Sequence, residues 1–298
     1  MRLPSFLSAA ALCLAANAQQ LRIEPGTDDP MVLHFDPVFI ARNSVKAING
    51  QAQVKRDGEP MRVRNERISY RFNADGRPAY DDRSFGRPGS GTDTSSVTYT
   101  YDGLGRLVEQ LRNDLNGYYA LRYELDQEGR PVRETYVRID NIGTDRYHFV
   151  PGGTTAISDE RFTYATLNDS AWRKTYLNDR GLSYREQTFT KDHYGYLRTI
   201  QDRYIITERR GSISFRYDEK GRLVEREERP DLREPRTMKH TWSYDQAGNV
   251  MTCDLWHGDR WMKHTEYLYE EGTMLIKALL TKDQETNVIQ VMRYTTER

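Results

Sequence analysis

The sequence predicts an all-β protein: an antiparallel array of β-hairpin repeats that forms a curled sheet or a partial β-shell. Three observations predict it. A turn signature of the form Asp-x-x-Gly recurs along the chain, polar and apolar residues alternate on both sides of it, and successive copies lie about 24–29 residues apart. Two strands per unit give on the order of sixteen strands, and open twisted sheets of more than about ten strands curl or split.

The turn signature is clearest in the stretch YTYDGLGRLVEQ, which begins at Tyr99. The carboxylate of Asp102 can accept backbone N–H groups of the loop that follows it. Gly105 can adopt the positive φ that closes a three-residue hairpin loop with a bulge. We therefore expect Asp102 opposite Arg106, Tyr101 opposite Leu107, and Tyr99 opposite Glu109.

This register divides the hairpin into an apolar face and a polar face, because side chains alternate along a strand. The predicted apolar face holds Val97, Tyr99, Tyr101, Leu107 and Leu111. The predicted polar face holds Thr98, Thr100, Asp102, Arg106 and Gln110. Since a flat sheet would expose the aromatic face, we expect the array to curl with its tyrosines inward.

Further copies of the turn follow the same pattern. The structural turn residues that we predict are Asp102 and Gly105, Asp126 and Gly129, Asp218 and Gly221, and Asp245 and Gly248. Additional turn glycines are Gly76, Gly153, Gly181, Gly195 and Gly272. The step from Gly181 to Gly195 is shorter than the others and indicates an irregular insertion.

These copies resemble the tyrosine–aspartate (YD) repeat of the Rhs and teneurin-like families, whose core reads Tyr-Asp-x-x-Gly-Arg-Leu. YTYDGLGRLVE and FRYDEKGRLVE match this core almost fully, and the resemblance covers residues 62–275. It implies a β-hairpin array that can coil into a shell. The chain is a short array, without the downstream Asp-Pro-x-Gly-Leu signature or a toxin-like C-terminal domain.

Three segments are predicted along the chain. Residues 1–18 read as a cleaved secretory signal peptide, with Arg2 before a short apolar stretch and Ala16-Asn17-Ala18 as the cleavage site, which indicates a secreted, periplasmic or cell-surface protein. Residues 19–61 form a non-repeat segment and a first hairpin that turns at Asp57-Gly58. Residues 62–298 form the repeat domain.

Irregular elements interrupt and close the predicted array. MVLHFDPVFIA is a first strand or a capping element, GRPGSGTDTSS (residues 86–96) is a flexible loop, and MLIKALLTK pairs with VIQVMRY as the last hairpin. A helix over 274–280 is the alternative for part of that hairpin.

Composition excludes some classes of function. Lys+Arg and Asp+Glu are both 44, a balance that argues against a nucleic-acid binder. No apolar run after the signal peptide is long enough to span a membrane. Cys253 is the one cysteine of the expected mature chain, so it forms no internal disulfide. We interpret it as a buried small hydrophobe, with a reactive or dimerising thiol as the alternative.

We find no sequence motif for a catalytic, metal-binding or cofactor-binding site. The recurring aspartates are explained by turn formation, although a hydrolase with a carboxylate site built across hairpins remains an alternative. Asn168-Asp169-Ser170 matches an N-glycosylation sequon, and Asp169-Ser170-Ala171 resembles a short bacterial O-glycosylation acceptor. A plain loop is the favoured interpretation of both.

The stretch DLWHGDRWMKHTEYLYEE departs from the repeat and is rich in aromatic residues. Trp256, Asp259 and Trp261 form a candidate glycan-binding group, since flat rings stack on sugars and carboxylates accept hydroxyl hydrogen bonds. The alternative is that the tryptophans pack on their own sheet. The function that we predict is a secreted, non-enzymatic interaction module with a protein or glycan partner. A carbohydrate- or cell-wall-binding module is the first alternative.

Overall fold

The computed structural model describes residues 19–27, 29–84, 94–114, 116–144 and 148–298, and it confirms the all-β prediction. The early elements are β1 (Leu21–Arg22), β2 (His34–Phe35), helix α1 (Pro37–Arg42), β3 (Ala47–Lys55), β4 (Arg62–Phe72), β5 (Pro78–Ser84), β6 (Thr94–Tyr101), β7 (Leu107–Asp114), β8 (Gly117–Leu125), β9 (Pro131–Asn141) and β10 (Pro151–Asn168). The later elements are β11 (Ala171–Leu177), β12 (Ser183–Lys191), β13 (Leu197–Tyr204), β14 (Arg210–Tyr217), β15 (Leu223–Arg229), β16 (Met238–Tyr244), β17 (Val250–His257), β18 (Arg260–Tyr269), β19 (Ile276–Asp283) and β20 (Ile289–Glu297).

The sheet is a closed barrel. Within the described residues, eighteen strands, β3 to β20, pair antiparallel with their neighbours along the chain, and β20 pairs with β3 to complete the ring. The structure is thus more specific than the predicted curled sheet or partial shell. Ring closure leaves no terminal strand with a whole edge exposed to solvent.

The first and last predicted hairpins are confirmed. β3 and β4 are joined by a turn in which Gly58 has φ +72°, and β19 pairs with β20. The predicted loop over 86–96 lies largely outside the described residues, but β6 already begins at Thr94.

Eight of the predicted turn glycines have positive φ, and one prediction is wrong. The confirmed glycines are Gly76, Gly105, Gly129, Gly181, Gly195, Gly221, Gly248 and Gly272. Gly153 instead lies inside β10, because the turn between β9 and β10 falls earlier, near Asn141–Val150.

Successive strands run in opposite directions, so alternate turns lie at the same end of the barrel. The turns at Gly76, Gly105, Gly129, Gly195, Gly221, Gly248 and Gly272 share one end, which we call the turn rim. Gly181 lies at the opposite end, because β12 separates it from Gly195. The short step between these two glycines is therefore one strand instead of the usual two, and no insertion is present.

The predicted register is correct at the turn and wrong beyond it. The N–H of Asp102 donates to the Arg106 carbonyl at 2.9 Å, and Tyr101 pairs with Leu107. The register then shifts, so that Tyr99 pairs with Gln110 instead of Glu109. The cause is a bulge on β7, which inserts one extra residue after the loop. Gln110 therefore shares the face of Tyr99, and Leu111 lies on the opposite face.

Tyrosine precedes the turn aspartate because its hydroxyl ties one hairpin to the previous one. The Tyr101 hydroxyl donates to the carbonyl of Pro78 at 2.7 Å, and the Tyr244 hydroxyl donates to the carbonyl of Leu223 at 2.5 Å. Each acceptor lies just after the preceding turn of the turn rim. Phenylalanine could fill the same space but could not make this bond.

The apolar core lies inside the barrel. Ile68 on β4, Ile200 on β13 and Trp242 on β16 belong to one packed cluster although their strands lie far apart around the ring. Such residues can meet only across the lumen. A smaller cluster on the opposite, outward face includes Ala120 and Val137, and Leu111 packs against it.

The described residues among 19–46, which we call the N-terminal segment, occupy the lumen at the turn rim. The ring of Phe35 lies 5.0 Å from Tyr70 and 5.2 Å from Phe72, measured between centroids. Asp36 caps α1 by accepting the N–H groups of Val38 and Phe39 at 2.8 and 3.0 Å. The segment MVLHFDPVFIA thus forms β2 and α1 and acts as the capping element. In the described residues no helix is long and apolar enough to cross a membrane.

Candidate functional site

The N-terminal segment fills only part of the lumen. Between this segment and the inner wall of β4–β7 lies a cavity of about 790 Å³, which we call the lumen cavity. Its wall includes Tyr70, Asp81, Arg83, Tyr99 and Gln110. Gln110 reaches this wall because of the bulge on β7, and straight alternation from the turn would have turned it outward.

A hydrogen-bonded pair forms the polar centre of the wall. The Tyr99 hydroxyl donates to Oδ2 of Asp81 at 2.6 Å. Burial raises the pKa of Asp81, although the Tyr99 hydrogen bond and the charges of Arg83 and Arg112 oppose the shift. Burial, followed by the hydrogen bond to Asp81, raises the pKa of Tyr99. Tyr99 thus stays a neutral donor at physiological pH.

Aromatic rings line the cavity beside these polar groups. Phe35, Tyr70 and Phe72 form one packed corner, and burial raises the pKa of Tyr70 to about 12. The guanidinium of Arg83 is exposed to the lumen. Aromatic rings, the carboxylate of Asp81, the guanidinium of Arg83 and the amide of Gln110 therefore line the same cavity.

A second polar cluster lies on β15 and β16, under the N-terminal segment. Arg226 is only 2% exposed, and its Nη1 lies 3.0 Å from Oε2 of Glu228. His240 pairs with Arg226 across the two strands. Nε of Arg226, Nδ1 of His240 and Nε1 of Trp242 are buried without a hydrogen-bond partner among the described residues. Unpartnered groups of this kind are costly to bury.

The predicted turn aspartates serve the fold. Oδ1 of Asp102 accepts the N–H groups of Leu104 and Arg106, each at 2.9 Å, and Oδ2 accepts Nε of Arg106 at 2.7 Å. The backbone N–H of Arg106, with help from its side chain, lowers the pKa of Asp102. Asp126 and Asp218 repeat this arrangement with Arg130 and Arg222, and Asp245 pairs with Asn249.

The predicted glycan-binding group lies on the outer wall. Trp256 and Trp261 face each other across β17 and β18 and stack with their ring centroids 5.9 Å apart and their planes 18° apart. Trp261 is 41% exposed, and its Nε1 donates to Asp254 at 2.9 Å. Asp259 is exposed in the adjoining turn. The tryptophans are thus brought together, and Asp254 is already engaged by Trp261.

The sequon residues also lie at a turn. Asn168 ends β10, and its Oδ1 accepts the N–H and the hydroxyl of Ser170 at 2.9 and 3.0 Å. Cys253 is buried, as expected, and its Sγ lies 3.6 Å from Sδ of Met31. Burial raises the pKa of the Cys253 thiol.

The lumen cavity was not predicted from the sequence. Asp81 and Arg83 lie in PAYDDRS, the strand β5 that follows the turn at Gly76. One signal was present: three consecutive charged residues, Asp81, Asp82 and Arg83, follow the turn at Gly76. Because β5 had to face inward at one of its two parities, some of these charges had to enter the lumen.

No known family model matches this chain, and no curated protein is similar to it. Among solved structures, it is similar to a porin-like protein from Bacteroides uniformis ATCC 8492, with 15% identity, coverage of 85% of this chain and 96% of that chain, and a TM-score of 0.40. A porin-like protein from Bacteroides vulgatus ATCC 8482 gives 9% identity, coverage of 83% and 97%, and a TM-score of 0.33. A LolA-superfamily protein from Nitrosomonas europaea gives 9% identity, coverage of 86% and 89%, and a TM-score of 0.25.

Proposed function

We propose that this chain is a secreted or periplasmic binding protein without catalytic activity, and that it binds a small polar ligand with a ring, such as a short carbohydrate, in the lumen cavity. The observation that carries the proposal is a space of about 790 Å³ whose wall combines aromatic rings with Asp81, Arg83 and Gln110. The signal-like sequence of residues 1–18 supports export.

The chemistry of the cavity suits a sugar. Ligand sites are concave, measure about 300–1,000 Å³, and orient their ligand with a few polar groups among apolar ones. A sugar ring offers an apolar face to rings such as Tyr70 and Tyr99, and its hydroxyls can both donate and accept. Asp81 would accept such hydroxyls, Arg83 would donate to them, and Gln110 could do either.

The charged side chains on the outer face of the barrel support the proposal that this face contacts water. Nε of Arg122 lies 2.7 Å from Oε2 of Glu109, and Nη2 of Arg216 lies 3.0 Å from Oε2 of Glu225, in both cases on outward-facing strand positions. Exposed cross-strand ion pairs suit solvent, whereas lipid-facing strands require an apolar band. In this proposal the YD-like repeat supplies the strands of the wall, and the departures from the repeat supply the ligand contacts.

The test begins with a glycan array, followed by calorimetric titration of the best-binding sugar into wild type, Arg83→Ala and Arg71→Ala. Arg83 lies on the inner face of β5, and Arg71 is its matched control on the outer face of β4, where it lies 5.4 Å from the ring of Tyr80. We expect Arg83→Ala to weaken binding at least about tenfold, the effect of losing a charged hydrogen bond, and Arg71→Ala to bind like wild type. If Arg83→Ala and Arg71→Ala bound the sugar with equal affinity, the lumen cavity would not be the binding site. Release of a cleaved sugar during the titration would favour the hydrolase alternative.

The stacked tryptophans of the outer wall support a second candidate site for the same class of ligand. Trp261 presents an exposed ring in line with Trp256, and this surface faces solvent instead of the lumen. Titration of Trp261→Ala separates the two sites. If binding is lost in Trp261→Ala and kept in Arg83→Ala, the sugar binds outside the barrel.

A further inference from the structure

Strand β10 has 18 residues, and each half pairs with a different neighbour. β9 pairs with Pro151–Arg161, and β11 pairs with Arg161–Asn168. Residues 151–160 therefore pair along one edge only. We call the other edge of this stretch the open edge, and its backbone groups have no strand partner among the described residues.

Most of the open edge lacks the charged side chains that keep many edge strands apart. Residues 151–158 read PGGTTAIS and carry no charge, and Thr154 to Ser158 are exposed. Natural edges are guarded by charged side chains, proline or bulges. Pro151 and two register shifts are present, but between the shifts Thr154–Ala156 pairs regularly with β9. This regular and neutral stretch, which includes Thr154 and Thr155, is suited to accept another strand.

Exposed apolar side chains lie beside this edge: Ile142 and Val150 at the tip of the β9–β10 hairpin, and Ile157 farther along β10, at its second register shift. Ile142 is 69% exposed, Val150 is 47% exposed and Ile157 is 53% exposed. The N–H of Ile142 donates to the carbonyl of Val150 at 2.9 Å, which holds the two side chains at the same tip. A strand added to the open edge would bring further chain close to this apolar tip.

We propose that the open edge is the contact between two copies of this chain, paired antiparallel across a two-fold axis near Thr155. A neutral edge gains no electrostatic attraction for an acidic or basic peptide, but it matches itself without charge conflict. In this register Asp159 of each copy comes opposite Pro151, so no two carboxylates face each other. The interface is self-complementary, as a two-fold contact requires.

The test is sedimentation velocity over a wide range of protein concentration, on wild type, Thr155→Lys and Thr98→Lys. Thr98 is the matched control, because it is also an exposed strand threonine but its strand is paired on both sides. We expect wild type and Thr98→Lys to shift from monomer to dimer as concentration rises. Thr155→Lys should lose this shift, because the axis brings the two lysines together.

Circular dichroism establishes that both variants are folded, and hydrogen exchange locates the contact. Amides of residues 154–157 should exchange more slowly at high concentration in wild type but not in Thr155→Lys. Wild type that stays monomeric at every concentration would overturn the proposal, including the case in which a foreign extended peptide binds this edge. Equal association of the two lysine variants would overturn it as well.

Discussion

Mild acid should destabilise this barrel through His240. The side chain is 3% exposed, and burial, followed by the charge of Arg226, lowers its pKa from 6.5 to about 4, with His257 adding to the shift and Asp29 opposing it. The folded state therefore binds a proton at lower pH than the unfolded state does. The stabilisation is complete above about pH 6.5 and is lost as the pH falls towards 4. At about 1.36 kcal/mol per pH unit, the loss amounts to about 3 kcal/mol.

The assay is urea unfolding, followed by tryptophan fluorescence, at several pH values from about 7 to about 4.5. Carboxylates also titrate near the lower limit, so the comparison is made with His240→Gln, which cannot bind this proton. We expect the free energy of unfolding of wild type to fall more steeply over this range than that of His240→Gln. His193→Gln, at an exposed turn position, is the control and should follow wild type. Parallel pH profiles for wild type and His240→Gln would refute the reasoning.

Three further predictions concern the turns and the buried thiol. Gly181→Ala should cost about 1–2 kcal/mol of stability, because only the φ of +76° opposes it. Gly76→Ala, at the same φ, should cost more, because its new methyl group would overlap backbone atoms of α1; equal thermal melting temperatures of the two variants would contradict this. Tyr101→Phe should lower the free energy of unfolding in urea by about 1 kcal/mol through loss of one hydrogen bond, and an unchanged denaturation midpoint would argue against the role assigned to the hydroxyl. Cys253 should react with a thiol reagent only after unfolding, and rapid labelling of the native protein would show that the thiol is accessible.

Local chemistry explains what could be predicted from the sequence. The turns were predictable because Asp102 and Gly105 satisfy the requirements of one loop type within a few residues, and alternation gave the strands on both sides. Ring closure could not be predicted in this way, because the pairing of β3 with β20 depends on the sum of many small twists and staggers.

The lumen site was hidden for related reasons. A bulge on β7 moves Gln110 from the predicted outer face to the cavity wall. No residue near the bulge indicates it in the sequence. One side of the cavity is formed by the N-terminal segment, including Phe35, and this segment does not belong to the repeat. The tryptophan pair, in contrast, was found because Trp256 and Trp261 flank one turn.

The pairing of β3 with β20 also bears on how the protein folds. In an open row of hairpins each unit can form or melt with its nearest neighbours, and end units need special caps. Here β3 must pair with β20, which lies at the other end of the chain. Each of these two strands supplies the hydrogen-bonding partner for the other's free edge. A chain can assemble its hairpins one after another from its N-terminus, but every partial assembly keeps two unpaired strand edges until the last strand is added. Completion of the barrel is therefore a single late event, and partly folded chains must reach it before their unpaired edges associate with one another.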